Sequence, residues 1–148
     1  MPRETARKLI ERFKTSDPFE LASYENIKVI PWNLDEEIQG FYKYVRRNKF
    51  IFYNSNIVEP MKKFVCAHEL GHALLHPRSS TPFMREKTLF SVDRIEVEAN
   101  TFAVEVLLPD KLIETYKHTK RSIEEIAVSH GIPKEIARLK RYENHYFF

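Results

Sequence analysis

Five consecutive residues, His68-Glu69-Leu70-Gly71-His72, constrain this chain more than any other feature. They spell H-E-x-x-H within a stretch, bounded by Pro60 and Pro77, that reads as one helix. At about 100° per residue, His68 and His72 fall some 40° apart on a single face, one turn above the other. Two imidazoles so placed can share one metal ion. Glu69 projects beside them, close enough to take a proton from a water that the metal acidifies without being a ligand itself. The fold must therefore keep this helix intact and bring a further donor to it. Pro60 is expected to open the helix and the His76-Pro77 step to close it. Ala67, Leu70, Gly71 and Leu74 form its packing stripe, and Gly71 permits a neighbouring element to come close.

The 148 residues, 43% of them hydrophobic, suffice for one sizeable core. We expect a metal-site domain over 1–118 and a helical segment over 119–148 that packs on it. Lys and Arg total 24 against 21 Asp and Glu, and a net charge of +3 is too small to argue for nucleic acid by itself. Cys66, the single cysteine, cannot form an internal disulfide and fits a reducing compartment. It lies about 200° from His68 on the helical wheel, as a core residue and not a ligand. The first fifteen residues are studded with charge and contain no signal-like apolar run. No stretch approaches the roughly 20 apolar residues needed to cross a bilayer. A cytoplasmic protein with no membrane partner is expected, its oligomeric state left open.

Hydrophobic period changes along the chain. Ala6, Leu9, Ile10 and Phe13 recur at helical spacing, and Asp17-Pro18 reads as an N-cap with proline at the first helical position of a second helix ending near Tyr24. Ile27 to Ile30, Gly40 to Val45 and Lys49 to Tyr53 are β-branched and aromatic. Arg47-Asn48 is the expected turn of a hairpin between the last two. From Arg78 to Ser91 no period holds, so a loop is expected. Asp93 starts another helix that ends before Pro109, and three short helical stretches follow at 110–117, 123–130 and 133–142. The fold class is α+β, a small sheet packed with helices.

A catalytic zinc site usually has three protein ligands. His76 lies two turns beyond His68 on the same rigid helix, roughly 12 Å away, so one ion cannot reach both. The longer pattern H-E-x-x-H-x-x-G-x-x-H also fails, because Leu75 and Arg78 stand at its glycine and histidine. Glu96 and Glu98 on the downstream helix lie about 200° apart on its wheel. Glu98 shares a flank with Thr101 and Glu105, read as a solvated edge. Glu96 shares its side with Asn100, Ala103 and Leu107 and should point inward, where a carboxylate needs a partner such as a metal. Glu96 is thus the preferred third ligand, with Glu98 in reserve. Asn100, one turn on, is placed to hydrogen-bond the outer nitrogen of a ligand histidine. The competing reading is a reciprocal capping box between Asp93 and Glu96.

Three blocks resemble the ImmA/IrrE metallopeptidases of bacteria, phages and integrative elements. They are Thr15-Ser16-Asp17-Pro18-Phe19, the run from Phe64 to His76, and Glu96 to Pro109. The last follows the family pattern E-x-x-A-N-x-F-A-x-x-L-L-x-P, departing only at Val106, and places the pattern's ligand glutamate on Glu96. The resemblance implies a minimal, gluzincin-like zincin fold holding Zn2+ and a site-specific endopeptidase. It further implies a helix-turn-helix transcriptional repressor as substrate. On this reading His68, His72 and Glu96 hold the zinc, and Glu69 is the general base and acid. Substrate backbone is expected to pair with an exposed sheet edge, for which strand 49–53 is the candidate.

Ile126 to Pro133, followed by Ile136 and Leu139, resembles the turn of a helix-turn-helix, with Lys134, Arg138, Lys140 and Arg141 as a basic face. An alternative function follows: a non-proteolytic DNA-binding or antirepressor module whose metal site is structural. A helix pair alone supplies few phosphate contacts, so direct DNA binding is the weaker use of this segment. Tyr146, Phe147 and Phe148 are expected to pack against protein surface.

Overall fold

The computed structural model describes residues 1–79, 82–84 and 87–142. The terminal Tyr146-Phe147-Phe148 lies outside the described residues. In chain order the elements are α1 (Pro2–Phe13), α2 (Pro18–Tyr24), β1 (Lys28–Trp32), β2 (Ile38–Val45), β3 (Asn48–Asn54), α3 (Glu59–Leu75), β4 (Phe83–Met84), α4 (Arg94–Leu107), α5 (Asp110–Glu114), α6 (Ile123–Ser129) and α7 (Lys134–Ala137). This is an α+β fold. Asp17 caps α2 by accepting from the Phe19 N–H, with Pro18 at the first helical position.

The sheet order is β1-β3-β2-β4, with β1 parallel to β3 and β2 antiparallel to both β3 and β4. Three expectations change here. Strand β3 is interior, its backbone committed on both sides, so it offers no edge to a substrate; the edges are β1 and β4. The hairpin turn sits at Arg46-Arg47, one residue before the expected place, with both at positive φ (51° and 67°). That conformation suits the twist of a tight hairpin even without glycine. Within the expected loop, Phe83 and Met84 extend the sheet beside β2. A two-residue strand carries too little pattern to be seen in sequence.

Helix α3 crosses the middle of the molecule. Ten successive residues, Phe64 to Ala73, are buried, well beyond the stripe expected for an amphipathic helix. The reason is that α3 packs on two sides. Phe64, Val65 and Ala67 join a cluster with Phe83, Val104, Leu108, Ile126 and Ile136, while Leu70 and Ala73 join another with Leu9, Leu21, Tyr42, Ile51 and Phe102. Helix α4 lies against it. At the crossing a Cβ on Gly71 would stand 3.3 Å from the Ala99 Cα and 3.1 Å from Phe102, so the missing side chain is what lets the two helices approach.

The C-terminal segment is anchored to the same core through Ile126, Ile132, Ile136 and Ala137. Its basic face is smaller than expected. Lys140 is buried, with Nζ 2.9 Å from Glu105 Oε1 and 2.7 Å from Asp110 Oδ1, because a cation there neutralises a buried carboxylate. Arg141 donates its backbone N–H to Glu105 Oε2 at 3.0 Å. Helix α7 has four residues, too short to lie along a groove of DNA as a recognition helix. Gly131, at φ 79°, turns the chain from α6 toward α7, and a Cβ there would stand 2.2 Å from the Pro60 Cβ. Gly131→Ala is therefore expected to destabilise the protein by at least about 1–2 kcal/mol from the left-handed backbone alone. A urea midpoint equal to the parent's would contradict this.

Candidate metal centre

His68 and His72 project from adjacent turns of α3, and Glu96 meets them from the first turn of α4. Glu96 Oε1 lies 3.1 Å from His68 Nε2 and 3.2 Å from His72 Nε2, and the two ring nitrogens are 3.1 Å apart. All three side chains are buried, at 0%, 2% and 5% exposure for His68, His72 and Glu96. One potential ligand atom from each falls within 4.8 Å of the others. The capping box does not form: Asp93 caps Ile95 N–H, but its own N–H donates to Ser91 Oγ, leaving Glu96 for the histidines.

Hydrogen-bond parity decides what this cluster can hold. Asn100 donates through Nδ2 to the Thr88 carbonyl at 3.2 Å, so its Oδ1 faces His68 Nδ1 at 2.8 Å. An amide oxygen only accepts, hence His68 carries its proton on Nδ1. Burial, opposed by the contact with Glu96, lowers the His68 pKa from the ordinary 6.5 and favours the neutral ring. Its Nε2 then presents a lone pair toward a carboxylate oxygen and a second imidazole. Converging lone pairs repel unless a cation sits among them. Two imidazole nitrogens and one carboxylate oxygen are a donor set suited to a divalent metal of borderline softness, and they leave room for a fourth position.

Glu69 is fully buried beside this cluster, and no described protein group hydrogen-bonds either of its carboxylate oxygens. Burial first, and the charge of Glu96 second, push its pKa well above 4.5. Burial also opposes the charge of Glu96, but the contacts of its carboxylate with the His68 and His72 rings outweigh it and lower that carboxyl to about 2. The signs give a test. His68, with a lowered pKa, contributes stability above 6.5 that is lost as pH falls. Glu69, with a raised pKa, acts oppositely, favouring the fold as pH falls toward 4.5. In metal-free protein the two oppose one another between these values. Below 4.5, Glu96 begins to lose its contribution as pH falls toward 2. Metal-free Glu69→Gln should therefore lose stability more steeply than the parent as pH falls from 6.5 toward 4.5. Superimposable stability profiles would contradict the assignment.

Glu98, the reserve candidate, stands outside the cluster. Its Oε1 is 2.7 Å from His76 Nε2 and its Oε2 3.4 Å from Arg94 Nε. Nor is its flank a solvated edge, since Thr101 and Glu105 are both buried. Sequence reasoning missed three contributors. The Thr88 carbonyl orients Asn100, and no side-chain pattern signals a carbonyl. The Phe83 ring stands edge-on to His68 at 4.7 Å, brought there by β4. His76 touches His72, a contact that the spacing of four residues could have disclosed. Cys66 is a buried core residue, its thiol pushed up by desolvation and thus inert.

Residues 22–141 match the family described as the IrrE N-terminal-like domain, peptidase M78. The chain is 62% identical over 134 residues to "Uncharacterized immunity region protein 2" of Bacillus phage phi105, covering 90% of this chain and 85% of that protein. It is 27% identical over 136 residues to "Metallopeptidase ImmA" of Bacillus subtilis (strain 168), covering 89% and 79% respectively.

Proposed function

The chain belongs to the IrrE N-terminal-like family of metallopeptidases, and from that premise we propose that it is a zinc-dependent endopeptidase of the cytoplasm. Its proposed substrate is a helix-turn-helix repressor of a phage or mobile element, whose cleavage relieves repression. The observation that carries the reading is the convergence of potential ligand atoms from His68, His72 and Glu96, next to a buried Glu69 whose carboxylate has no hydrogen-bond partner among the described residues. Similarity to a phage immunity region protein supports a repressor as substrate.

His68 Nε2, His72 Nε2 and Glu96 would hold the ion, and Asn100 and Thr88 would fix the His68 ring. Zinc bound there would supply Lewis-acid polarisation of the scissile carbonyl and lower the pKa of a water nucleophile. Glu69 takes the proton of that water and delivers it to the leaving amine. Phe83 seals one side of His68 from bulk water. Strand β4, not β3, is the sheet edge beside the site, and an extended substrate segment would lie along it.

Incubating the purified, zinc-loaded protein with the repressor encoded beside its gene, and reading fragments by mass spectrometry, tests this. Cleavage at one bond, abolished by chelation, is the expected outcome. An intact repressor alongside fully loaded protein would remove the repressor from the proposal.

A further inference from the structure

We infer that His76 and Glu98 form a positioning pair that fixes the ring of His72 in the tautomer and orientation a metal ligand needs, an inference that rests on the ligand set proposed above. His72 offers Nε2 to Glu96 and His68, while its opposite nitrogen, Nδ1, lies 3.1 Å from His76 Nδ1. The far nitrogen of His76, Nε2, lies 2.7 Å from Glu98 Oε1. A carboxylate accepts, so His76 donates from Nε2; when neutral it keeps a lone pair on Nδ1. It then accepts from His72 Nδ1–H, which leaves the lone pair of His72 on Nε2, aimed into the site. Asn100 imposes the same tautomer on His68 by a separate route.

The backbone of His76 is held as firmly as its ring. It is the residue that ends α3, at φ −134° and ψ 59°, with its N–H bonded to the His72 carbonyl at 2.7 Å. Pro77 prevents the helix from continuing. The Pro77 carbonyl accepts from the hydroxyl of Tyr42, a buried residue of β2, at 2.8 Å. The turn is thereby tied to the sheet, and the imidazole is folded back on the preceding turn instead of pointing along the helix axis. Helix α4 completes the arrangement, because Glu96, Glu98 and Asn100 issue from little more than one turn and serve His68 and His72 together. The distance that bars His76 from the ion is the distance at which it can support His72.

Zinc affinity, measured by competition with a chromophoric chelator, tests the pair without reference to catalysis. Groups that orient ligand histidines typically contribute about 10–100-fold to metal affinity. His76→Ala should weaken binding by that factor, and Glu98→Ala by a similar or smaller one. Glu98→Gln should retain most of the affinity, because its amide oxygen still accepts from His76 Nε2–H. The double variant His76→Ala/Glu98→Ala should be no weaker than His76→Ala alone, since the two act through one chain of hydrogen bonds. Ring nitrogen NMR of the zinc-loaded protein should show His72 protonated on Nδ1 and His76 on Nε2. Affinity within twofold of the parent in His76→Ala, or multiplicative losses in the double variant, would overturn the pair. His72→Ala is the control for the ligand set: if it leaves zinc affinity unchanged, the ligand set falls and the pair with it. Loss in His72→Ala without loss in His76→Ala removes only the pair.

Discussion

Glu69→Gln is expected to lower peptide-bond cleavage by about 10²–10⁴-fold, the usual contribution of a general base and acid, while zinc affinity stays within about twofold of the parent. The amide is nearly isosteric with the carboxyl, so the packing around residue 69 is preserved. What it loses is the capacity to accept a proton from water and return it to the leaving nitrogen. The buried carboxyl stands beside the two histidines without being a member of their cluster, which is why the substitution should separate chemistry from binding. Single-turnover cleavage and chelator competition on the same preparation decide the matter. Unimpaired turnover would take Glu69 out of the mechanism, and a large drop in zinc affinity would make it a ligand.

Glu96→Ala should have the largest effect on the metal. One of the three proposed donors is removed, and two imidazoles are left to bind the ion without a carboxylate, so affinity should fall by more than the ~100-fold ceiling typical of supporting groups. Cleavage should fall with it at any zinc concentration that saturates the parent. Glu98→Ala, two residues away, is predicted to cost less than that ceiling, and the contrast between the two variants is the sharper measurement. Equal losses would mean that the carboxylates share the ion, whereas full occupancy in Glu96→Ala would place the third ligand elsewhere.

The distinction between Glu96 and Glu98 was legible in sequence for a physical reason: helical geometry places residues two apart on opposite flanks. The wheel could say which carboxylate turns toward His68. It could not say what the other flank meets. Glu98, Thr101 and Glu105 read as a solvated edge, yet Glu105 is buried against Lys140 from a segment 35 residues away in sequence, and Glu98 is taken by His76. Charged side chains look solvated in a local pattern whether or not a distant partner of opposite charge will cover them. Lys140 illustrates the same limit, since its place in an apparently basic stripe concealed a buried ion pair.

Strand order is the clearer case. The alternation and composition of residues 27–30, 40–45 and 49–53 announced three strands and a hairpin, because pleat and turn chemistry are local. Which strand lies at an edge depends on which neighbours reach it, and β1 pairs with β3, not with β2, the strand that follows it in sequence. The edge beside the site belongs instead to Phe83 and Met84, whose strand exists only because β2 is there to pair with it.

What the sequence determined by itself is the helix with His68 and His72 on one face, the inward turn of Glu96 and the adjacency of Asn100. Each follows from the fixed rise and angle of an α-helix, so a spacing of three or four residues is already a statement about space. What only the tertiary structure decided is how those faces meet. The close crossing at Gly71 brings Glu96 to the histidines, β4 covers His68, and the Pro77 turn pinned by Tyr42 carries His76 between His72 and Glu98. Apart from the one between His72 and His76, these contacts join residues 15 to 35 positions apart through packing and hydrogen bonding, and no local periodicity encodes them.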